Sequence, residues 1–405
     1  MKIRKGSKEL IKDINRYKVI NILREHPWIS RAEIASNSGL RQSTLTYILD
    51  ELMSQQVIVE VGESLSTGGR RAKLLEFNKN YGLIAAVKIE EVRSLVAITN
   101  MDGQILKKSE ILYKEDPIPE DVVNMISQQI KWLLNQVKKE KQSLMGIGVL
   151  SSGLVNREEG FIIRSSILGW ANIPIAKMLE KEFPNLPVFV DKNINGYALA
   201  ELWVGKGKEL KNFALVSVGA GLGLSIVMNR RIYYGAIGGA GEYGHTIIQV
   251  GGYPCHCGQR GCLEMYASEF YFKNKMKELL PEYPETILRD FLFENVSKSV
   301  EKKDALAIRL MHEMSEYLGY GILNLINTLN PETVIVAGEG MEYEELFMPK
   351  VKEIVRENFF SKAEIYTDIR NSKLSSDAWL TGAALLAINH LFKVPIFEAD
   401  RVRIY

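Results

Sequence analysis

Gly241-Glu242-Tyr243-Gly244-His245, followed after a short spacer by Cys255-His256-Cys257-Gly258-Gln259-Arg260-Gly261-Cys262-Leu263-Glu264, is the stretch on which the reading of this chain turns. It contains all 3 cysteines of the chain. Cysteines set so close together suit metal ligation in a reducing compartment better than a disulfide framework. One imidazole and three thiolates close a tetrahedral zinc site, and a loop folded back at Gly258 and Gly261 brings them together. The spacing therefore predicts a structural zinc held by His245, Cys255, Cys257 and Cys262. His256 is the rival imidazole, but a residue between two ligands of a Cys-x-Cys has to point away from the metal, so His245 is preferred. Glu242 and Glu264 are not needed by the metal and stand beside it, where carboxylates accept hydrogen bonds from a polyol.

Outward from this stretch the chain alternates strands and helices. Leu83–Ile89 and Leu95–Thr99 read as strands with a turn at Met101-Asp102-Gly103, Val122–Val137 as an amphipathic helix and Gly146–Leu150 as a buried strand. That alternation predicts an α/β class. With 405 residues, 46% hydrophobic and 25% charged, the composition is that of a soluble globular protein of two or three domains, and it excludes disorder and fibrous structure. The run Phe213–Met228 is too short to span a bilayer and carries Gly219, Gly221 and Gly223 in a strand-turn-strand pattern. The basic N-terminus has no apolar block ahead of a cleavage site, so a cytoplasmic protein with no membrane partner is expected.

Net charge is only +2, but it is unevenly placed: residues 1–80 hold 14 basic and 9 acidic side chains, leaving 37 against 40 in the body. A basic head on a faintly acidic body points to nucleic acid. In the head, Ile14, Tyr17, Ile20 and Leu23 form the stripe of a first helix that stops at His26-Pro27. Ser30 with Glu33 is a capping box opening a second helix that ends at Gly39. A third runs from Gln42 to about Gln55, with Leu45, Ile48, Leu49 and Leu52 inward. Strands at Val57–Val61 and Leu74–Phe77, joined by a loop with Gly68-Gly69-Arg70-Arg71, complete a winged helix-turn-helix. Gln42, Ser43, Thr44, Thr46 and Tyr47 are left on the outer face of the third helix, to read base edges. Arg41, Arg70, Arg71 and Lys73 would hold phosphate or the minor groove.

Gly-Glu-x-Gly-His followed by Cys-x-Cys-Gly-x-x-Gly-Cys-x-Glu resembles the signature of the ROK family, named for repressors, uncharacterised reading frames and sugar kinases. The resemblance spans nearly the whole chain, winged helix included, and is nearest to the xylose-repressor type of member. It implies a two-lobed, actin-like (ribonuclease-H-like) domain with a sugar in the cleft and zinc holding the sugar-binding loop. By the same resemblance Glu242, His245 and Glu264 face sugar hydroxyls, His245 also binds the zinc, and Gly153 sits where the family approaches its sugar. The segment Ser166–Trp170 lies there too, with Ser166 where an asparagine is expected.

The parts of a kinase have to be checked singly. Where ROK kinases carry Asp-x-Gly-Gly-Thr-Lys to cradle phosphate, this chain has Lys88-Ile89-Glu90-Glu91-Val92-Arg93. Where they place a catalytic aspartate in Asn-Asp-x-Asn, it has Lys192-Asn193-Ile194-Asn195, and an amide is no base at neutral pH, though Asn193 can bond a sugar hydroxyl. The second glycine loop, Gly219-Ala220-Gly221-Leu222-Gly223, lacks the kinase threonine, and Glu339 interrupts the adenosine-loop match at Val334–Gly340. Recruiting Asp191 as base would displace Asn195 from its match. Lys192 is expected to be a solvated lysine at the cleft edge, with a sugar phosphate as its alternative partner. Trp170 and Trp203 read as packing residues.

The sequence thus predicts a non-enzymatic, sugar-responsive repressor: a homodimer or higher homo-oligomer on a palindromic double-stranded operator, with a sugar or sugar phosphate as effector. A ROK-type sugar kinase with an added DNA-binding domain is the alternative. The expected domains are a winged helix over 1–78, a small lobe over 79–198 plus 380–405, and a large lobe with the zinc site over 199–379.

Overall fold

The computed structural model describes residues 7–63, 71–137, 142–364 and 366–393. The head opens with α1 (Lys8–Glu25), capped by the Ser7 hydroxyl on the Leu10 N–H. A two-residue strand β1 (Ile29–Ser30) leads into α2 (Arg31–Ser38). The expected capping box is formed in full: Ser30 Oγ accepts from the Glu33 N–H and Glu33 returns a carboxylate to the Ser30 N–H, an arrangement that contributes about 1 kcal/mol. Gly39 ends α2 at φ +64°, a left-handed conformation that favours glycine, and α3 (Gln42–Ser54) follows. Leu45, Ile48, Leu49 and Leu52 are all buried. In α1 the buried stripe is Leu10, Val19, Ile20 and Leu23, while Ile14 and Tyr17 are only half-buried. Strands β2 (Ile58–Glu63) and β3 (Lys73–Phe77) pair antiparallel, and β1 joins the far edge of β3.

The chain packs as two compact units. The first comprises the head and the body up to Leu150, Pro174–Val190 and the chain from Ala383; the second comprises Ser151–Ile173 and Asp191–Gly382. In the first, β4 (Leu83–Ile89), β5 (Arg93–Thr99) and β6 (Ile105–Leu112) form an antiparallel meander. It is extended on the β4 side by β7 (Leu144–Ser151) and β11 (Val188–Lys192). Seven consecutive buried residues in β4 mark a strand covered on both faces. Helix α4 (Pro119–Val137) lays Val122, Ile126, Ile130 and Leu133 on β5 and β6 and is backed by α5 (Ile175–Glu182).

The second unit begins with a small sheet of β8 (Leu154–Asn156), β9 (Phe161–Ser165) and β10 (Trp170–Ile173). Helix α6 (Asn193–Val204) precedes a hairpin of β12 (Phe213–Val218) and β13 (Leu222–Met228), edged by β14 (Arg231–Ile232). Then come α7 (Glu269–Leu279), α8 (Phe293–Glu301) and α9 (Ala305–Leu329). Two strands, β15 (Thr333–Ala337) and β16 (Asp368–Asn371), separated by α10 (Glu344–Arg356), add to β12 in parallel. Side chains of β12 and β15 alternate between two cores: Ala214, Val216, Val334 and Val336 join the cluster that includes Phe272, Leu318 and Phe347. Phe213, Leu215, Ile335 and Ala337 join Tyr197, Ala198 and Trp379. Trp379 opens the last helix, α11 (Ala378–Leu391).

These units divide differently from the bounds drawn on the sequence. Segment 151–173 packs with the second unit because β8–β10 pair among themselves in a sheet of their own. Residues 191–198 go there because α6 buries Ile194, Tyr197 and Ala198 against Phe213 and Val227. The head counts with the first unit because α1 and β3 pack on the end of the chain: the Arg24 guanidinium donates to Asn389 Oδ1 at 2.8 Å, the Asn21 amide to the Phe392 carbonyl at 3.2 Å, and the Phe77 ring meets Phe392 edge-on. Among the described residues no helix is long and apolar enough to cross a membrane.

Candidate functional site

Residues 243–264 form a knuckle built by backbone pairing. The Ile248 N–H donates to the Gly261 carbonyl, the Gly261 N–H to the Tyr253 carbonyl and the Cys255 N–H to the Gln259 carbonyl, all at 2.8–2.9 Å. Gly261 has φ +80°, and a Cβ there would lie 1.7 Å from the Gln249 carbonyl oxygen, so only glycine closes this turn. The fold brings His245, Cys255, Cys257 and Cys262 together with their donor atoms all within 4.8 Å of one another. Cys257 Sγ lies 3.7 Å from Cys262 Sγ, and His245 Nδ1 lies 3.5 Å from Cys255 Sγ. Thiolates bound at about 2.3 Å to a tetrahedral ion are about 3.8 Å apart, so donor set and spacing fit a closed metal site. Burial pushes the Cys255 and Cys262 thiols up, a cost that a bound cation reverses.

The residues expected to face a polyol are held by the protein's own groups. Lys192 Nζ donates to Glu242 Oε1 at 3.0 Å and to the Ala240 carbonyl at 2.7 Å, with the lysine side chain only 7% exposed. The solvated lysine expected at the cleft edge is therefore a buried cation paired with a site carboxylate. His245 turns Nδ1 to the thiols and Nε2 towards Glu242, 4.0 Å from Oε2. Glu264 accepts from the Leu222 N–H at 3.2 Å on one oxygen and bonds His256 Nε2 at 2.8 Å on the other. His256 points away from the cysteines, as the spacing demanded, and into the site: its Nδ1 meets Ser166 Oγ at 2.8 Å. The neighbouring Ser165 Oγ bonds Ser152 Oγ at 2.8 Å, which ties in the turn carrying Gly153. Gly153 has φ +88°, and a Cβ there would sit 2.2 Å from the Arg164 carbonyl oxygen. Asn193 opens α6 directly after Lys192, and its buried Oδ1 has no partner. An orphaned buried acceptor beside Glu242 is what a ligand hydroxyl satisfies.

In the head, Arg41, Gln42, Ser43, Thr44, Thr46 and Tyr47 are all exposed at the start of α3. Tyr47 has an intramolecular partner, since its hydroxyl accepts from Lys12 Nζ at 3.2 Å. Lys73 pairs across the strands with Glu60 at 2.7 Å, and Arg71 is exposed. Arg70 lies outside the described residues.

The ROK family profile matches residues 85–390. The chain belongs to the ROK family. A winged helix-turn-helix DNA-binding profile matches residues 12–59 of the head. The xylose repressor of Caldicellulosiruptor bescii is 31% identical over 401 residues, covering 96% of this chain and 99% of the relative. The Escherichia coli DNA-binding transcriptional dual regulator NagC is 28% identical and covers 86% of each chain. Among solved structures, a ROK family transcriptional regulator homologous to Escherichia coli Mlc superimposes with a TM-score of 0.81 at 26% identity, covering 93% of this chain and 96% of that one.

The β4–β5 turn and the second glycine loop, both singled out in the sequence, carry carboxylates. Glu90 sits at a tight β4–β5 turn shut by its N–H on the Arg93 carbonyl at 2.8 Å, and it is ion-paired with Lys88 and Arg93. A Cβ on Gly219 would meet Glu339 Oε2 at 2.9 Å, and one on Gly221 would meet Glu264 Oε1 at 2.8 Å. The second glycine loop thus packs against two carboxylates. Asp191 is engaged on both oxygens: Oδ1 accepts from the Lys192 N–H and Asn195 Nδ2, and Oδ2 from the Tyr234 hydroxyl, at 2.7–2.9 Å. Trp170 is buried, and Trp203 packs on the α6 cluster.

Sequence reasoning missed the inward role of His256; the resemblance put Ser166 near the sugar, but not its bond to His256, 90 positions away. The one local signal was His256 itself, an imidazole barred from the metal by its neighbours and therefore left to face something else.

Proposed function

We propose that the protein is a transcriptional repressor whose winged helix binds DNA and is released, or retained, by a sugar bound at Asn193, Glu242, His245 and Glu264, with Gly153 at the rim. The observation that carries this reading is the pairing, in one chain, of an exposed polar helix start on a DNA-binding head with a polyol-type set of side chains in the second unit, Asn193 with its unpartnered Oδ1 and the carboxylates of Glu242 and Glu264. The sugar-kinase alternative needs a base where Asn193 stands, and the amide supplies none.

In this reading Gln42, Ser43, Thr44, Thr46 and Tyr47 read base edges, while Arg41, Arg70, Arg71 and Lys73 hold the backbone. The reading includes a cytoplasmic homodimer, whose two-fold symmetry calls for a palindromic operator with half-sites ~10 base pairs or a multiple apart. The metal is a structural zinc that fixes the knuckle carrying His245 and Glu264, and it takes no part in chemistry. The relative named as a xylose repressor makes xylose the first effector to try. Helix α11 supplies a route from sugar to head. Its Gly382 packs on Gly196 of α6 in the sugar-binding unit, while Asn389 and Phe392 at its other end hold α1. A sugar acts only if it binds two arrangements of the protein unequally.

The test is a gel-shift titration on DNA flanking the protein's own gene, with xylose, glucose, N-acetylglucosamine and their phosphates. Release by one sugar supports the repressor reading, and tightening by one reverses the sign of the switch. Absence of specific DNA binding under every condition would overturn it.

A further inference from the structure

The bonds around Glu264 leave one oxygen for a ligand and give that oxygen to His256. Oε1 is used by the Leu222 N–H, and Gly221 packs against it closely enough that a Cβ there would lie 2.8 Å away. Oε2 is 2.8 Å from His256 Nε2, and His256 Nδ1 is 2.8 Å from Ser166 Oγ. The His256 ring stands edge-on to His245 at 5.3 Å between centroids and tilts over Phe270 at 5.6 Å, so its plane is fixed by two other rings. His245, His256 and Glu264 bring one ligand atom each to within 4.8 Å of one another, so His256 stands with two of the residues proposed to face the sugar. With Ser166 donating to Nδ1, Nε2 carries the proton and donates to the carboxylate.

We propose that His256, positioned by Ser166, is a specificity-determining contact for the effector, and that the Glu264–His256 pair selects an unmodified sugar hydroxyl. The inference rests on the sugar-site reading above. A ligand group entering between Glu264 Oε2 and His256 Nε2 must donate to the carboxylate and accept from the imidazole N–H. A hydroxyl does both. An amide N–H donates but does not accept, a methyl ether accepts but does not donate, and a phosphate brings like charge against Glu264. The class recognised at this position is therefore a sugar whose hydroxyl there is unmodified. His256 holds that place in the ligand-free protein, so the carboxylate is never left bare and the entering hydroxyl exchanges one bond for two.

The experiment is calorimetric titration of the full-length protein with D-xylose, D-glucose and the complete set of monodeoxy analogues of each, with metal content measured on every sample. For the wild type, loss of one particular hydroxyl is expected to weaken binding about tenfold or more. In His256→Ala the parent sugar binds about tenfold more weakly, and the penalty for that same deoxy position shrinks to about twofold. His256→Gln, whose amide both donates and accepts, recovers part of the affinity. Ser166→Ala, which leaves the Cys-x-Cys untouched, shifts affinity about threefold in the same direction. The proposal is overturned if His256→Ala keeps the wild-type affinity and deoxy profile, or binds more tightly, which would make His256 a plug. It also falls if His256→Ala sheds its metal while Ser166→Ala changes nothing. A wild type that binds neither sugar removes the sugar reading itself, whereas a wild type that binds with an unchanged His256→Ala removes only this proposal.

Discussion

The start of α3 and the site around Glu264 present polar side chains in opposite ways. Along α3, Arg41 to Thr44, Thr46 and Tyr47 are exposed, and beneath them an apolar stripe carries the folding energy. Around Glu264 the groups proposed to touch ligand are engaged with the protein's own side chains: Lys192 with Glu242, His256 with Glu264 and Ser166, and His245 with the cysteines. The first is a surface whose partner completes it; the second is a pocket arranged in advance. Substitutions on α3 should therefore alter binding and leave stability alone, whereas substitutions in the pocket should alter both.

The largest departure is expected where the pocket leans on the metal. Cys257→Ser removes one of four ligands, and since a structural zinc contributes on the order of 10 kcal/mol of coupled folding energy, the variant should lose stoichiometric metal and melt about 10 °C or more lower. Metal analysis with thermal melting decides this, and full metal retention in Cys257→Ser would sink the ligand set. Next comes Glu242→Ala, which deletes a proposed sugar contact and takes from the buried Lys192 its carboxylate partner, leaving the bond to the Ala240 carbonyl. Sugar affinity should fall about 100-fold and stability by about 1–3 kcal/mol. Unchanged melting in that variant would mean that Lys192 relaxes to solvent and that the pocket is less pre-arranged than its bonds imply.

On α3, Gln42→Ala should weaken specific operator binding about tenfold, in keeping with ~1–3 kcal/mol for a good base contact, with melting unchanged. A loss of stability there would break the contrast from the other side. Smaller still is Arg24→Ala, at the junction of the head with the chain end. Its guanidinium is desolvated enough to lower its pKa to about 10, yet it keeps the bond to Asn389 and lies over the Phe392 ring at 5.3 Å. Its loss should cost about 1–2 kcal/mol, and gel shifts should show DNA binding that responds less to sugar. Retention of the full response would take α11 out of the route.

What the sequence revealed and what it hid follow from how local each interaction is. The capping box at Ser30 and Glu33, the left-handed stop at Gly39 and the buried stripe of α3 are all set within a turn or two, and each stands as expected. The metal cluster was legible because a Cys-x-Cys and two glycine turns compress it into one knuckle. The bonds that give the pocket its character are not local: Lys192 meets Glu242 across 50 positions, and His256 meets Ser166 across 90. No periodicity encodes such a meeting, so Lys192 read as a solvated charge. The compact units divide elsewhere than the sequence bounds for the same reason, since the pairing of β9 with β8 and β10 is a tertiary choice.

The smallest expected effect is the most informative about how the kinase chemistry was lost. Asn193→Asp restores a carboxylate at the position of the kinase base, and if that residue alone separated the two activities, sugar-dependent ATP consumption should appear. It should not. Glu339 still stands against Gly219, and the β4–β5 turn still carries Glu90 and Glu91 where the kinases carry glycines, so each turn by itself sets like charge against a phosphate. A coupled ATPase assay of Asn193→Asp over xylose and glucose should match the protein-free blank. The same change should still weaken sugar binding by only a few-fold, because an acceptor oxygen is kept at that position while a second negative charge is added beside Glu242. Turnover above the blank would show that the phosphate positions are open after all, and that this domain stands one substitution from a kinase.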